Sequence, residues 1–310
     1  MNKISGILPI RNGEAWIARN LPRILTNLSQ DDELVVVDDG SVDASYSLVM
    51  SFAKNDSRIS LHRTKGIGLV DALNLAISNA KFEWLARFDI DDFYSRERLN
   101  YQRRAIQNET VVIFCDYRVL RNGTINLGLI PSPLTDSAIR VSLFRSARTA
   151  HPSALINKAA LLKCGGYEGS DFPAEDLGLW TRISEQGQLI SIPHEGLLYN
   201  MRGGSISREN RALIAEKRMR ILQSYKDHFE MDSVLEKLSE TINLYESTRY
   251  GRERLLLHYW DLLHPLSQEL LGKNRTLAIR NSLSRLLLSP PSLIPILDLG
   301  YYRCLRSFYK

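Results

Sequence analysis

The run ELVVVDD, residues 33–39, constrains this chain more than any other segment. Three valines in a short, unbroken apolar stretch leave no polar face, so the strand they form must be covered on both sides. Such strands belong to mostly parallel sheets with helices packed against each face. The neighbouring sequence keeps that rhythm. SGILPI reads as a first strand, Glu14 to Leu28 as a helix with apolar residues at helical spacing, and RISLHRT as a third strand leading into a helix from Leu69 to Asn79. Trp84 to Phe88, within KFEWLARFDIDD, reads as a fourth strand that ends in a burst of acid.

Between about residues 110 and 200 the pattern is mixed, with strand-like VVIFCDYRVL and LISIPHEGLLYNM on either side of a helix near Asp176 to Glu185. From about Arg208 it becomes helical and charged, and EKRMRILQSYKDHF and RERLLLHYWDLLHPL are amphipathic pieces. At 310 residues and 44% hydrophobic, the chain can bury one large core or a main unit with a helical appendage, which excludes a disordered protein. A net charge of +5 suits a surface that meets phosphate or anionic lipid without demanding nucleic acid, and a solvated basic face accounts for it equally well.

Cys115, Cys164 and Cys304 are far apart, odd in number and without metal-ligand spacing, which points to packing residues in a reducing compartment. MNKISGILPIRNGE meets an arginine and a glutamate too soon for the apolar region of a secretory signal, so synthesis and residence in the cytosol are expected. The apolar stretch from Leu286 is interrupted by prolines and Asp298, short of the roughly 20 residues of a spanning helix.

In open α/β sheets, ligands collect at the carboxyl ends of strands. Both acidic clusters, Asp38 with Asp39 and Asp89 to Asp92, fall there. DDGS alone reads equally as a capped loop. RFDIDD is harder to explain structurally, because crowded carboxylates repel one another unless a cation or a hydrogen-bonding ligand relieves them. On an extended segment Asp89 and Asp91 project to the same side and can share one ligand. Magnesium or manganese suits such oxygen donors, with the shell completed by water and substrate phosphates.

ILPIRNGE, VVVDDGS, KGIGLVDALNLAI, LARFDIDD, HPSALINKAALLKCGGY and FPAEDLGLW follow one another in this order. Over about residues 4–207 they make the chain resemble the inverting glycosyltransferases of family 2, which have the GT-A fold. The resemblance implies an α/β fold with a mostly parallel central sheet flanked by helices, a catalytic domain at 1–205 and a helical C-terminal extension at 206–310. It implies transfer of a sugar, with inversion, from a nucleotide-diphosphate donor (a UDP-sugar first of all) to an acceptor hydroxyl, in cell-surface polysaccharide or glycolipid synthesis. By the same resemblance Asp39, with Asp38 beside it, binds the nucleotide base, and Pro9, Ile10, Arg11 and Asn12 line that pocket. Asp89 meets the ribose end of the donor, Asp91 is the metal-contacting acid beside the diphosphate, and the two form the site of a divalent cation, Mn2+ or Mg2+. Arg87 is a nucleotide or phosphate contact. Asp176 carries the catalytic base, with Glu175 as the second choice. A sugar hydroxyl needs such a group to accept its proton, although acids at a helix N-terminus are also favoured by the helix dipole. His151 orders a loop near the site or simply packs, and Gly165 with Gly166 allows a tight turn.

The chain departs from the family's pattern at YNMRGGSIS, where Arg202 stands in place of a histidine that can ligate metal and Asn200 in place of an arginine. Arg202 is therefore expected to neutralise part of the leaving diphosphate and to weaken dependence on the cation. Three other classes compete. Gly66-Ile67-Gly68 invites a dinucleotide-binding reading but has Asp71 at the third glycine and follows the third strand. A sugar nucleotidyltransferase needs a glycine-rich basic loop after strand one, which ILPIRNGEAW is not. A silent nucleotide-sugar-binding scaffold is opposed by the presence of Asp39, Asp89, Asp91 and Asp176 together. The tail RNSLSRLLLSPPSLIPILDLGYYRCLRSFYK fits either peripheral contact with an anionic membrane, at the cytosolic face and with a lipid-linked saccharide as acceptor, or a helix docked on the catalytic domain.

Overall fold

The structure, a computed structural model, describes residues 2–143, 148–204 and 209–228. In chain order its first elements are β1 (Ile4–Ile10), α1 (Glu14–Asn27), β2 (Glu33–Asp38), α2 (Ser45–Ala53), β3 (Ile59–Arg63), α3 (Leu69–Asn79) and β4 (Trp84–Arg87). Then come β5 (Phe93–Tyr94), α4 (Arg98–Arg104), β6 (Thr110–Arg121), β7 (Ile125–Ile130), α5 (Asp136–Leu143), β8 (Leu155–Asn157) and α6 (Lys158–Lys163). The last are α7 (Glu175–Ile183), β9 (Gln188–Met201) and α8 (Arg211–His228).

One sheet runs in the order β3-β2-β1-β4-β8-β6-β9-β5, with β7 paired to β6. β3, β2, β1 and β4 are mutually parallel, as are β6 and β9; β8 lies antiparallel between β4 and β6. The alternation of side chains along buried strands explains the two cores. Ile7, Val35, Val37, Leu85, Val112 and Phe114 face α3 and α7. Leu8, Leu34, Val36, Trp84, Ala86, Ile113 and Cys115 face the other way, against Ile17, Leu21 and Ile24 of α1 and Leu99 of α4.

β4 is one residue shorter than the sequence reading and stops at Arg87, and the acids follow in a turn closed by Asp92 N–H donating to Asp89 O at 3.3 Å. The extended alternation expected for Asp89 and Asp91 therefore does not hold: the turn, not strand geometry, sets their directions. α8 packs on α7, burying Ile221 and Tyr225 in the core that also holds Leu177 and Trp180. Among the described residues no helix is long and apolar enough to cross a membrane. RERLLLHYWDLLHPL, the basic apolar tail and Cys304 lie outside the described residues.

Candidate active site

The acidic turn after β4 is held from several directions. Asn20, buried in α1, donates from Nδ2 to Ile90 O at 2.8 Å. The N–H of Asp89 donates to the Tyr94 hydroxyl at 2.6 Å. From β9, the N–H of Asn200 donates to Asp92 Oδ1 at 2.7 Å, and its side-chain amide reaches Asp91 O at 3.1 Å. Each outward acid then meets its own guanidinium. Arg87, fully buried at the end of β4, pairs with Asp89 at 2.8 Å, and Arg202 pairs with Asp91 at 2.5 Å. Burial pushes Asp89 above the ordinary carboxylate range, with the Asp91 charge adding to it, in spite of Arg87 and Arg202. Asp92 is pushed further up by burial and by both neighbouring acids.

Across from this turn stands the N-terminus of α7. Glu175 and Asp176 occupy its first turn, Glu175 buried with Oε2 unpartnered among the described residues and Asp176 more open. Asp176 Oδ1 accepts from Leu177 N–H at 2.7 Å. Burial, with the Asp176 charge next to it, raises Glu175 to about 7, and burial also raises Asp176. Both acids and the turn line one cleft of about 500 Å³, walled in addition by His151, Tyr199, Ile214 and Arg218. His151 Nε2 lies 2.6 Å from the Tyr167 hydroxyl, and burial together with the Arg87 charge lowers the imidazole well below its usual value.

The residues expected at the nucleotide base are not in the wall of this cleft and sit at the carboxyl ends of β1 and β2. Asp38 Oδ1 accepts from Ser41 N–H at 3.1 Å and lies 3.6 Å from Arg63 Nε. Asp39 accepts from the Thr64 hydroxyl at 2.6 Å and from the N–H groups of Ile67 and Gly68 at 2.7 and 3.0 Å. Burial works to raise Asp39, but those hydrogen bonds and the Arg11 guanidinium at 3.9 Å outweigh it and hold the carboxyl below its usual value. Gly40 is needed here, since its φ is +70° and a Cβ would lie 2.7 Å from Gly66 N. Pro9 and Ile10 are buried at the end of β1, Arg11 is exposed beside Asp39, and Asn12, at φ 51°, bridges to Ser41 and Val42.

The cleft thus gathers Arg87, Asp89, Asp91, Glu175, Asp176 and Arg202, while Pro9, Ile10, Arg11, Asn12, Asp38 and Asp39 form a second group outside its wall. Arg87 reaches the cleft from beneath as the partner of Asp89. The sequence reading did not single out Asn20, Tyr94, Tyr199, Ile214 or Arg218; apolar periodicity marks α1 and α8 as helices but not which polar residue on them turns inward. Asp89 and Asp91 offer the carboxylate oxygens that a hard divalent cation takes, and each already meets a guanidinium, Arg87 and Arg202 respectively. Among the described residues no three His, Cys, Asp or Glu side chains are grouped as a metal site, so other ligands would have to come from bound phosphate or water.

The model of a family described as glycosyl transferase family 2 matches residues 5–165. The O-antigen biosynthesis glycosyltransferase WbnJ of Escherichia coli is 25% identical over 185 residues, 59% of this chain and 72% of WbnJ. An uncharacterized glycosyltransferase of Rickettsia bellii is 25% identical over 202 residues, 65% of this chain, and the chain spans only 29% of that relative's length. In two further Rickettsia relatives it spans 33% and 34%. Among solved structures, Staphylococcus aureus TarS 1–349 in complex with UDP-GlcNAc superposes with a TM-score of 0.58 at 18% identity, covering 99% of this chain and 91% of that one. The mannosyltransferase PcManGT of Pyrobaculum calidifontis, in complex with GDP-Man and Mn2+, gives 0.56 at 18% identity, covering 91% and 86%. At these identities the likeness is one of fold, and it agrees with the GT-A architecture expected from the motifs.

Proposed function

Because the chain belongs to glycosyl transferase family 2, we propose that it moves a sugar from a nucleoside-diphosphate donor to an acceptor hydroxyl with inversion at the anomeric carbon. The observation that carries this reading is the single cleft with Asp89 and Asp91 on one wall and Glu175 and Asp176 on another. An inverting transfer needs a place for the diphosphate and, on the opposite side of the sugar, a base.

In this reading Asp39 takes the base of the nucleotide, in the pocket that Pro9, Ile10, Arg11 and Asn12 border beside Asp38. Its Oδ2 receives one protein N–H, from Gly68, and a carboxylate oxygen can accept a second from the base. Asp89, backed by Arg87, faces the ribose end. Asp91 and Arg202 flank the diphosphate, and Arg202 offers it charge-assisted hydrogen bonds. Asp176, more open than Glu175, faces the acceptor. As the acceptor oxygen bonds to the anomeric carbon, Asp176 takes the hydroxyl proton. The bond from that carbon to the diphosphate breaks, and its electron pair leaves with the nucleoside diphosphate. A divalent cation held by Asp91 and Asp89 would offset the charge that grows on the diphosphate.

Uridine diphosphate is the carrier we assign, on the motif resemblance and on the UDP-GlcNAc complex of TarS; the GDP-Man complex of PcManGT makes guanosine the alternative. The relationship to WbnJ supports a saccharide acceptor, free or lipid-linked, in surface polysaccharide synthesis. The test is calorimetry with UDP, dTDP, GDP and CDP, each with and without Mn2+, on wild type and Asp91→Ala. Binding of one diphosphate that weakens without the metal or without Asp91 is expected. Binding of none overturns the reading, and binding without transfer or donor hydrolysis across an acceptor panel replaces it with a silent nucleotide-sugar binder.

A further inference from the structure

α8 lies beyond the segment that matches the family, yet two of its side chains reach the cleft. Ile214 and Arg218 are four residues apart and so share one face of the helix. The same face continues to Ile221 and Tyr225, which are buried against the core that includes Leu177 and Trp180 of α7. The helix is therefore seated by its own apolar residues, and polar contacts fix it further. Lys217 Nζ and Arg220 Nη2 donate to Ser170 O at 2.9 and 2.6 Å, and Arg220 lies 3.6 Å from Asp171. Arg218 Nη2 donates to Leu143 O at 2.8 Å, which anchors its guanidinium at the end of α5.

The charged and titratable groups around Asp176 come from every neighbouring element: Glu175 beside it, Arg87 from β4, Asp89, Asp91 and Asp92 from the turn, His151, Tyr117, Tyr167, Tyr199 and Arg202 around the cleft, and Arg218 from α8. Arg87 pairs with Asp89, Arg202 with Asp91, and Arg218 hydrogen-bonds to Leu143 O while lining the same cleft as Asp176. We propose that Arg218 is a positioning residue for Asp176, its counter-charge in the wall of the cleft, so that α8 belongs to the catalytic unit. The proposal rests on Asp176 as the base. It agrees with the electrostatics, in which burial raises Asp176 while the Leu177 N–H, then the Arg218 charge, and to a smaller extent Arg87 work in the opposite direction. Removing that charge leaves the carboxyl protonated to higher pH, and a protonated carboxyl cannot accept the hydroxyl proton.

The test uses the whole 310-residue chain carrying aspartate labelled with 13C at the carboxyl, the Asp176 signal being the one lost in Asp176→Asn. The titration midpoint of that signal is measured in wild type, Arg218→Gln, Arg218→Met and Arg218→Lys. A rise of about half a unit or more is expected in the two neutral variants, with return towards wild type in Arg218→Lys. Arg218→Met keeps the aliphatic stem and serves if Arg218→Gln does not fold. An unchanged midpoint in a folded neutral variant overturns the proposal. UDP binding on the same samples reports the donor site separately, so a failed donor assignment is distinguished from a failed role for Arg218.

Discussion

Glu175 and Asp176 are adjacent at the start of α7, and burial separates their behaviour. Glu175, raised to about 7, favours folding when protonated. Its stabilising contribution is full below its ordinary value near 4.5 and is lost as pH rises through about 7. Glu175→Gln is therefore expected to raise the thermal midpoint relative to wild type more at pH 8 than at pH 5, as thermal unfolding at the two pH values will measure. Asp176→Asn is expected to lower the rate of transfer by ~10²-fold or more while leaving calorimetric UDP binding in place. At this scale the acids were legible in the sequence because they are contiguous motifs. Their partners were less so: the resemblance put Arg202 on the diphosphate side, but it lies 111 residues from Asp91, and nothing local in either segment says that the two side chains pair.

The strands β1 to β4 and helix α3 were legible because strands covered on both faces and a strongly periodic helix each carry an unambiguous pattern. α2 was not, since it buries only Ser45 and Val49 and so shows no clear apolar stripe. β5 and β8, two and three residues long, exist by pairing with distant partners. α7 joins local sequence to the site most tightly. A Cβ on its Gly178 would come within 2.0 Å of Asp171 Oδ2 and 2.6 Å of its Cγ, and Asp171 is tied to Arg182 at 2.6 Å. Gly178→Ala is expected to destabilise the protein by ~1–3 kcal/mol, through overpacking at a residue that also steadies α8. Urea unfolding of the variant against wild type will measure it.

For the molecule as a whole, a ligand that binds only the folded state adds stability in proportion to its occupancy. UDP with Mn2+ at a hundred times its dissociation constant should add ~2.7 kcal/mol to the unfolding free energy. In Asp39→Ala the same ligand concentration should add much less, because the variant loses both the proposed base contact and the carboxylate that gathers Thr64, Ile67 and Gly68. Denaturant unfolding with and without ligand checks both outcomes. Arg202 directly follows β9, the last strand among the described residues, and α8 comes after it. During synthesis from the N-terminus, the loops assigned to the nucleotide are therefore made first, the acids of α7 next, and the arginines that answer Asp91 and Asp176 last. A nascent chain passes through a stage that holds Asp91 and Asp176 without Arg202 and Arg218, and the ribosome has passed residue 218 before the cleft has all its walls.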